Sequence, residues 1–144
     1  MERHEFKTTI NASRERVWQV LWGDDTYPQW TAPFAEGSRA ESDWQVGSKV
    51  LFLDGKGRGM VSSVHERRDN EYMGFRHLGE VADGEEKINE SAPWYNAEEN
   101  YTLSEANGTT ELKVEIDLTP ADLEYMGERW PEAMKKLKEI AENA

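Results

Sequence analysis

The chain has 144 residues, with 29 acidic and 17 basic side chains and a net charge of −12. That is the size of one ordinary domain, able to fold without staples, and the absence of cysteine excludes disulfide and thiolate chemistry. The acidity argues against nucleic acid as a partner, because phosphate binding needs a basic surface.

Six tryptophans stand in a chain of mean hydropathy −0.88. The apolar groups are few and large, so they must be concentrated. No stretch approaches the roughly 20 apolar residues of a membrane span. "MERHEFKTTI" lacks the uninterrupted apolar core of a secretory signal. The expected setting is the cytoplasm.

"EFKTTI" alternates Phe6, Thr8 and Ile10 against Lys7 and Thr9 and predicts a strand. "NASRERVWQVLW" follows with Ser13 at or beside an N-cap and Val17, Val20 and Leu21 as a helical stripe. "GDDTYPQW" ends that helix, and a short turn or second helix is expected over "YPQWTAPF". Strands then follow between turn signals: "SRAESDW", "KVLFLD", "GMVSSVHE" after the hairpin "DGKGRG", and "EYMGFRHLGEV" after "RRDN". "ADGEEKINESAP" reads as a polar loop. "WYNAEENYTLSEA" and "TTELKVEIDL" are joined at Asn107-Gly108, the strongest hairpin signal in the chain.

The last 26 residues, from "TPADLEYMGERW", predict a long helix. Thr119 and Asp122 form a capping-box-like pair, with Pro120 at the first helical position. Leu123, Met126, Trp130, Met134, Leu137 and Ala141 form its apolar stripe. Pro131 removes a helical hydrogen bond, so a kink or break is expected near Trp130. An antiparallel sheet with one apolar face needs a cover, and this helix supplies it.

Turn positions set the register. The Asn107-Gly108 turn brings Leu103 opposite Leu112, Tyr101 opposite Val114 and Glu99 opposite Ile116. The turn near Asp69-Asn70 brings Phe75 opposite Val64 and His77 opposite Ser62; "DGKGRG" brings Phe52 opposite Met60. The inner face is then Val50, Phe52, Met60, Val64, Met73, Phe75, Tyr101, Leu103, Leu112, Val114 and Ile116, with Leu51 and Leu53 less buried. Ser62, His77, Glu99 and Thr110 interrupt it. A symmetric pairing across the polar loop puts His77 directly opposite Glu99. A buried carboxylate without a partner costs several kcal/mol or stays protonated, so a partner is expected, His77 first, with Tyr101, Ser62 or water as the alternatives.

"INASRERVWQVLW", "WTAPFAEGS", "DWQVGSKVLFLD", "GRGMVSSV", "FRHLGE", "EENYTL" and "WPEAMKKLKEIAE" together resemble bacterial homologues of the C-terminal domain of the activator of the 90-kDa heat-shock chaperone's ATPase. That family lies in the START-like, birch-pollen-allergen-like superfamily (SRPBCC). The resemblance covers nearly the whole chain. It implies an α+β helix-grip fold over residues 1–144 as a single START-like (SRPBCC) domain. About seven antiparallel strands would curve around a long C-terminal helix, with one or two short helices after strand 1. Superfamily cavities between sheet and helix take lipids, sterols, polyketides and other apolar molecules, and some members are enzymes. The eukaryotic activators carry a further N-terminal domain that contributes to chaperone binding. Nothing in these residues corresponds to it, so a co-chaperone role is the weaker expectation.

Other motifs carry less. "GKGRG" lacks the helix that a phosphate-cradling loop needs. His4, His65 and His77 have no metal-ligand spacing, so no metal site is expected, and His65 falls on the outer parity as a surface residue. Ser62 near His77 and Glu99 lacks a nucleophile-elbow sequence, and no catalytic residue is assigned. The expected function is binding of a small, largely apolar or amphipathic molecule without a cofactor. The expected contacts are Trp30, Phe34, Phe52, Met60, Ser62, Phe75, His77, Glu99, Tyr101, Met126 and Trp130, with His77, Glu99 and Tyr101 orienting the ligand. The alternatives are a chaperone-interacting module and a cyclase- or hydrolase-type enzyme using the same cavity.

Overall fold

In the computed structural model, which describes residues 1–143, strand β1 (Glu2–Ile10) runs into helix α1 (Arg14–Trp22). The Ser13 side chain caps α1 by accepting the Arg16 amide. The stripe read from the sequence is its buried face, joined by Trp18 and Trp22. The expected second helix is α2 (Tyr27–Trp30), with proline in its first turn. Strands β2 (Arg39–Glu41), β3 (Lys49–Leu53), β4 (Gly59–Arg68), β5 (Tyr72–Ala82), β6 (Glu85–Ile88), β7 (Ala97–Ala106) and β8 (Thr109–Leu118) precede helix α3 (Pro120–Glu142). The sheet is antiparallel, in the order β1-β8-β7-β5-β4-β3-β2, with β6 paired to the far end of β5. This is the expected helix-grip arrangement, with the sheet curved about α3.

The eighth strand lies where a polar loop was expected. Asp83 and Gly84 both take positive φ, 54° and 75°, as Asn107 and Gly108 do at 55° and 77°. Two such residues make the tight turn whose twist suits a hairpin. All four residues of β6 are exposed, so no apolar alternation marked the strand.

The registers of β7 with β8, β4 with β5 at Val64 and Ser62, and β3 with β4 are those read from the turns. The pairing of β5 with β7 differs by two residues. Phe75 faces Glu99, and His77 faces Ala97. The loop before β7 spends residues asymmetrically, on β6 and on a turn closed from Asn96 to the His77 carbonyl. An even slip leaves every side chain on its face, so His77 and Glu99 become diagonal neighbours.

The inner face is buried as expected except at Phe52 and Met60, which are half-buried. Leu53 corrects the parity expectation: it is only 7% exposed, packed with Leu51, Val61 and Val81 in a second apolar cluster. Parity assigned the face, but on this stretch of the other face apolar side chains of adjacent strands bury one another.

α3 runs without a break through Pro131. Its N-cap pair forms between side chains, with Thr119 Oγ1 donating to Asp122 Oδ2 at 2.9 Å. Burial along the helix is uneven. Trp130, Ala133, Met134, Leu137 and Ala141 are buried, whereas Leu123, expected in the stripe, is exposed. The C-terminal half of α3 fills the groove of the sheet. Its first turns stand off and leave space beneath.

On the outer face Arg3 donates to Asp117 (Nε to Oδ1, 3.0 Å) and to Glu98 (3.2 Å). Burial raises the Asp117 carboxyl, but the bonds from Arg3 and the Glu98 amide outweigh it and leave the group below its ordinary value. Glu98 is lowered by the hydrogen bond from Asn100, then by Arg3. Groups depressed on folding stabilise fully above their unfolded values, near about 4, and that stability is lost as pH falls through the folded values. Arg3→Ala should therefore lower the melting temperature modestly at pH 7 and progressively less below about pH 4, because the pairs are partly exposed. An equal effect at pH 7 and pH 2 in thermal scans would show that these pairs carry no linkage.

Candidate functional site

The space under the N-terminal half of α3 is a cavity of about 620 Å3, open on one side. α2 and the segment after it contribute Tyr27, Trp30, Thr31 and Phe34. The sheet contributes Phe52, Met60, His77, Glu99 and Tyr101, and α3 contributes Met126 and Trp130. The side chains hold one another. Trp130 lies 4.9 Å from Phe34 and 6.1 Å from Trp30, centroid to centroid, and Trp30 donates Nε1–H to the Leu21 carbonyl at 3.1 Å. Tyr125 on α3 donates to the Phe34 carbonyl, tying the helix to the segment at the mouth.

Glu99 sits in the wall with two partners. His77 Nε2 lies 3.2 Å from Oε1, and the Tyr101 hydroxyl donates to Oε2 at 2.5 Å. Ser62 Oγ lies 2.6 Å from His77 Nδ1. Against an ionised carboxylate, which only accepts, Nε2 carries the proton. A neutral ring then accepts the Ser62 O–H at Nδ1. Burial, and then the charge of Glu99, pushes the Tyr101 hydroxyl well above the ordinary tyrosine range, so it remains a donor. The Tyr27 hydroxyl is raised for the same two reasons, and it has no hydrogen-bond partner among the described residues.

The cavity brings together Trp30, Phe34, Phe52, Met60, His77, Glu99, Tyr101, Met126 and Trp130 from the expected set. Two members fall outside its lining. Ser62, 1% exposed, orients the His77 ring, while His77 itself faces the cavity. That order sets Ser62 away from any substrate carbonyl, so the arrangement is not a Ser-His-Glu nucleophile system. Phe75 is fully buried behind the wall, 5.2 Å from Phe52 and 5.4 Å from Trp22. The outer-face His65, expected at the surface, is half-buried, with Nε2 3.4 Å from Asn100 Oδ1.

Sequence reading missed Tyr27, Arg58, Glu80 and Trp94, which also line the cavity. Glu80 arrives there through a β-bulge. Leu78 is an extra residue on β5 between the pairs Ser62–His77 and Val61–Gly79, so alternation shifts by one and Glu80 comes opposite Met60. Gly79 was the available signal, since glycine inside a strand marks a bulge or close approach. A Cβ there would lie 2.1 Å from the Lys87 carbonyl oxygen of β6. Among the described residues no cluster of three metal-ligating side chains occurs, and no helix is long and apolar enough to cross a membrane.

Solved structures share this fold at low identity. The Aha1 dimer from Colwellia psychrerythraea is 20% identical, with 99% of this chain and 97% of that one covered at a TM-score of 0.74. Protein MLL2253 from Mesorhizobium loti is 15% identical, with 99% and 98% covered at 0.75. DynU16, from the dynemicin biosynthetic locus, is 14% identical, with 96% and 46% covered at 0.72. No curated protein matches. The family described as activator of Hsp90 ATPase homolog 1-like protein matches residues 11–142, and the chain belongs to that family.

Proposed function

We propose that this protein binds a small, largely apolar molecule between the sheet and α3, without a metal or cofactor. The observation that carries the reading is the cavity itself. About 620 Å3 of space, walled by Tyr27, Trp30, Phe34, Phe52, Tyr101 and Trp130, holds the hydrogen-bonded pair of Glu99 and His77 in its wall. Small-molecule sites have that size and that ratio of apolar wall to polar anchor. The place of DynU16 in a biosynthetic locus agrees with small-molecule handling in a protein of this fold. The family relation keeps a chaperone partner as the second reading, and Leu123 and Tyr125, exposed on the first turns of α3, are where it would begin.

The neutral dye N-phenyl-1-naphthylamine should bind at one site per chain with enhanced fluorescence. Met126→Trp places a larger side chain in the cavity and should abolish that signal while the circular dichroism spectrum is retained. Absence of dye binding by the parent chain, together with a native mass spectrum free of any adduct in protein purified from its host, would overturn the reading.

A further inference from the structure

The charges around the cavity are lopsided. Among the residues that border it, Asp54, Glu80, Glu99 and Asp122 stand against one guanidinium, Arg58, while Asp117 borders it with its carboxylate on the outer face. Asp54 takes up Arg58 at 3.9 Å and the amides of its own hairpin, and Asp117 is held by Arg3. Among the described residues Glu80 and Asp122 have no basic side chain within ion-pair distance, and Glu99 has His77 alone, with Nε2 at 3.2 Å. Carboxylates therefore outnumber lysine and arginine around the cavity, with Glu80 and Asp122 exposed at its edge and Glu99 in its wall. An anionic amphiphile would enter against that field, and a cationic one would be drawn by it.

The surroundings of Glu99 match the same charge. Each of its oxygens accepts one bond, from His77 or from Tyr101, and a carboxylate offers about four acceptor positions. Rings packed on one another share the cavity with it: Tyr27 is 5.5 Å from Trp30 and 6.4 Å from Phe52, Trp30 is 6.5 Å from Tyr101, and Phe52 is 6.0 Å from His77. Aromatic faces carry the negative end of the ring quadrupole and attract ammonium groups. A carboxylate with spare acceptor positions inside a set of aromatic rings is the chemistry of an alkylammonium site, and it repels carboxylate and phosphate heads.

We propose that the cavity selects amphiphiles with a cationic head, a primary or methylated alkylammonium, whose charge lies against Glu99 among Tyr27, Trp30, Phe52 and Tyr101. The apolar body of such a molecule lies along Phe34, Met126 and Trp130. This selectivity rests on the binding reading above and adds the class of ligand to it.

Displacement of N-phenyl-1-naphthylamine by three ten-carbon probes at pH 7 tests it. Decylammonium should displace the dye at concentrations about tenfold lower than 1-decanol, with decanoate weakest, a ratio that corresponds to one ion contact retained in a mostly dry site. Glu99→Gln should bring the ratio of decylammonium to decanol close to one. Phe52→Leu, which leaves every charge in place, should lower the same ratio by removing one ring, and it serves if Glu99→Gln does not fold. Equal displacement by the three probes, preference for decanoate, or a preference for the amine that survives Glu99→Gln unchanged would overturn the proposal. In each of those cases dye binding persists and the broader reading stands. Failure of the dye itself to bind, together with a native mass spectrum free of any adduct, would remove both.

Discussion

Trp130→Ala should destabilise the protein by about 3–5 kcal/mol, the usual range for losing a buried tryptophan ring. Trp130 is 3% exposed and is the point where α3 turns from standing off the sheet to filling its groove. Its ring stacks on Phe6 of β1 at 5.7 Å and meets Phe34, Trp30 and Tyr101 within 6.1 Å. Alanine would open a void that joins the existing cavity, and four aromatic neighbours would lose one face each. Trp130→Phe should cost much less, because the indole Nε1 is buried without a hydrogen-bond partner. Removing that unpaired donor offsets part of the lost contact. Urea denaturation of the two variants measures the contrast. A cost below about 1 kcal/mol for the alanine variant would mean that the ring does not clamp the helix.

Phe75→Ala should cost a similar amount, about 3–5 kcal/mol, for a different reason. Phe75 is fully buried and contacts Trp22, Trp44, Phe52 and Tyr101 edge-on at 5.2 to 6.0 Å. It supports the rings that line the cavity without lining it. The loss should therefore appear in stability, while dye binding under conditions where the variant is folded falls by less than in Trp130→Ala. Titrations of both variants well below their melting temperatures separate the cases. Equal loss of binding would mean that Phe75 reaches the ligand, as the sequence parity suggested.

Glu99 shows how far sequence patterns reach. Period-two alternation places it on the inner face, and the Asn107-Gly108 turn places it opposite Ile116, where it is. A carboxylate on that face calls for a partner, and His77 is that partner at 3.2 Å. The pairing used to bring them together was off by two residues, yet the contact survived because parity is insensitive to an even slip. Leu53 and Glu80 went the other way. Burial at Leu53 depends on Val61 and Val81, which come from other strands. The facing of Glu80 depends on the bulge at Leu78, whose one local mark is the neighbouring Gly79.

Local rules decide what depends on neighbours in the chain: the Ser13 cap of α1, the Asn-Gly turn, the alternating faces of β7 and β8, and the amphipathic stripe of α3 from Trp130 onward. Those features set the order of strands and helices and put Glu99, His77 and Tyr101 on one face, because alternation and turn geometry act over a few residues; the helix-grip fold was what the family resemblance implied. The tertiary structure alone decided that the first turns of α3 stand off the sheet. It also decided that Ser62 and Phe75 lie outside the cavity lining, and that Tyr27, Arg58, Glu80 and Trp94 enter it. Each of those outcomes is set by how elements far apart in sequence pack, and such packing is a sum over many weak contacts that no local pattern records.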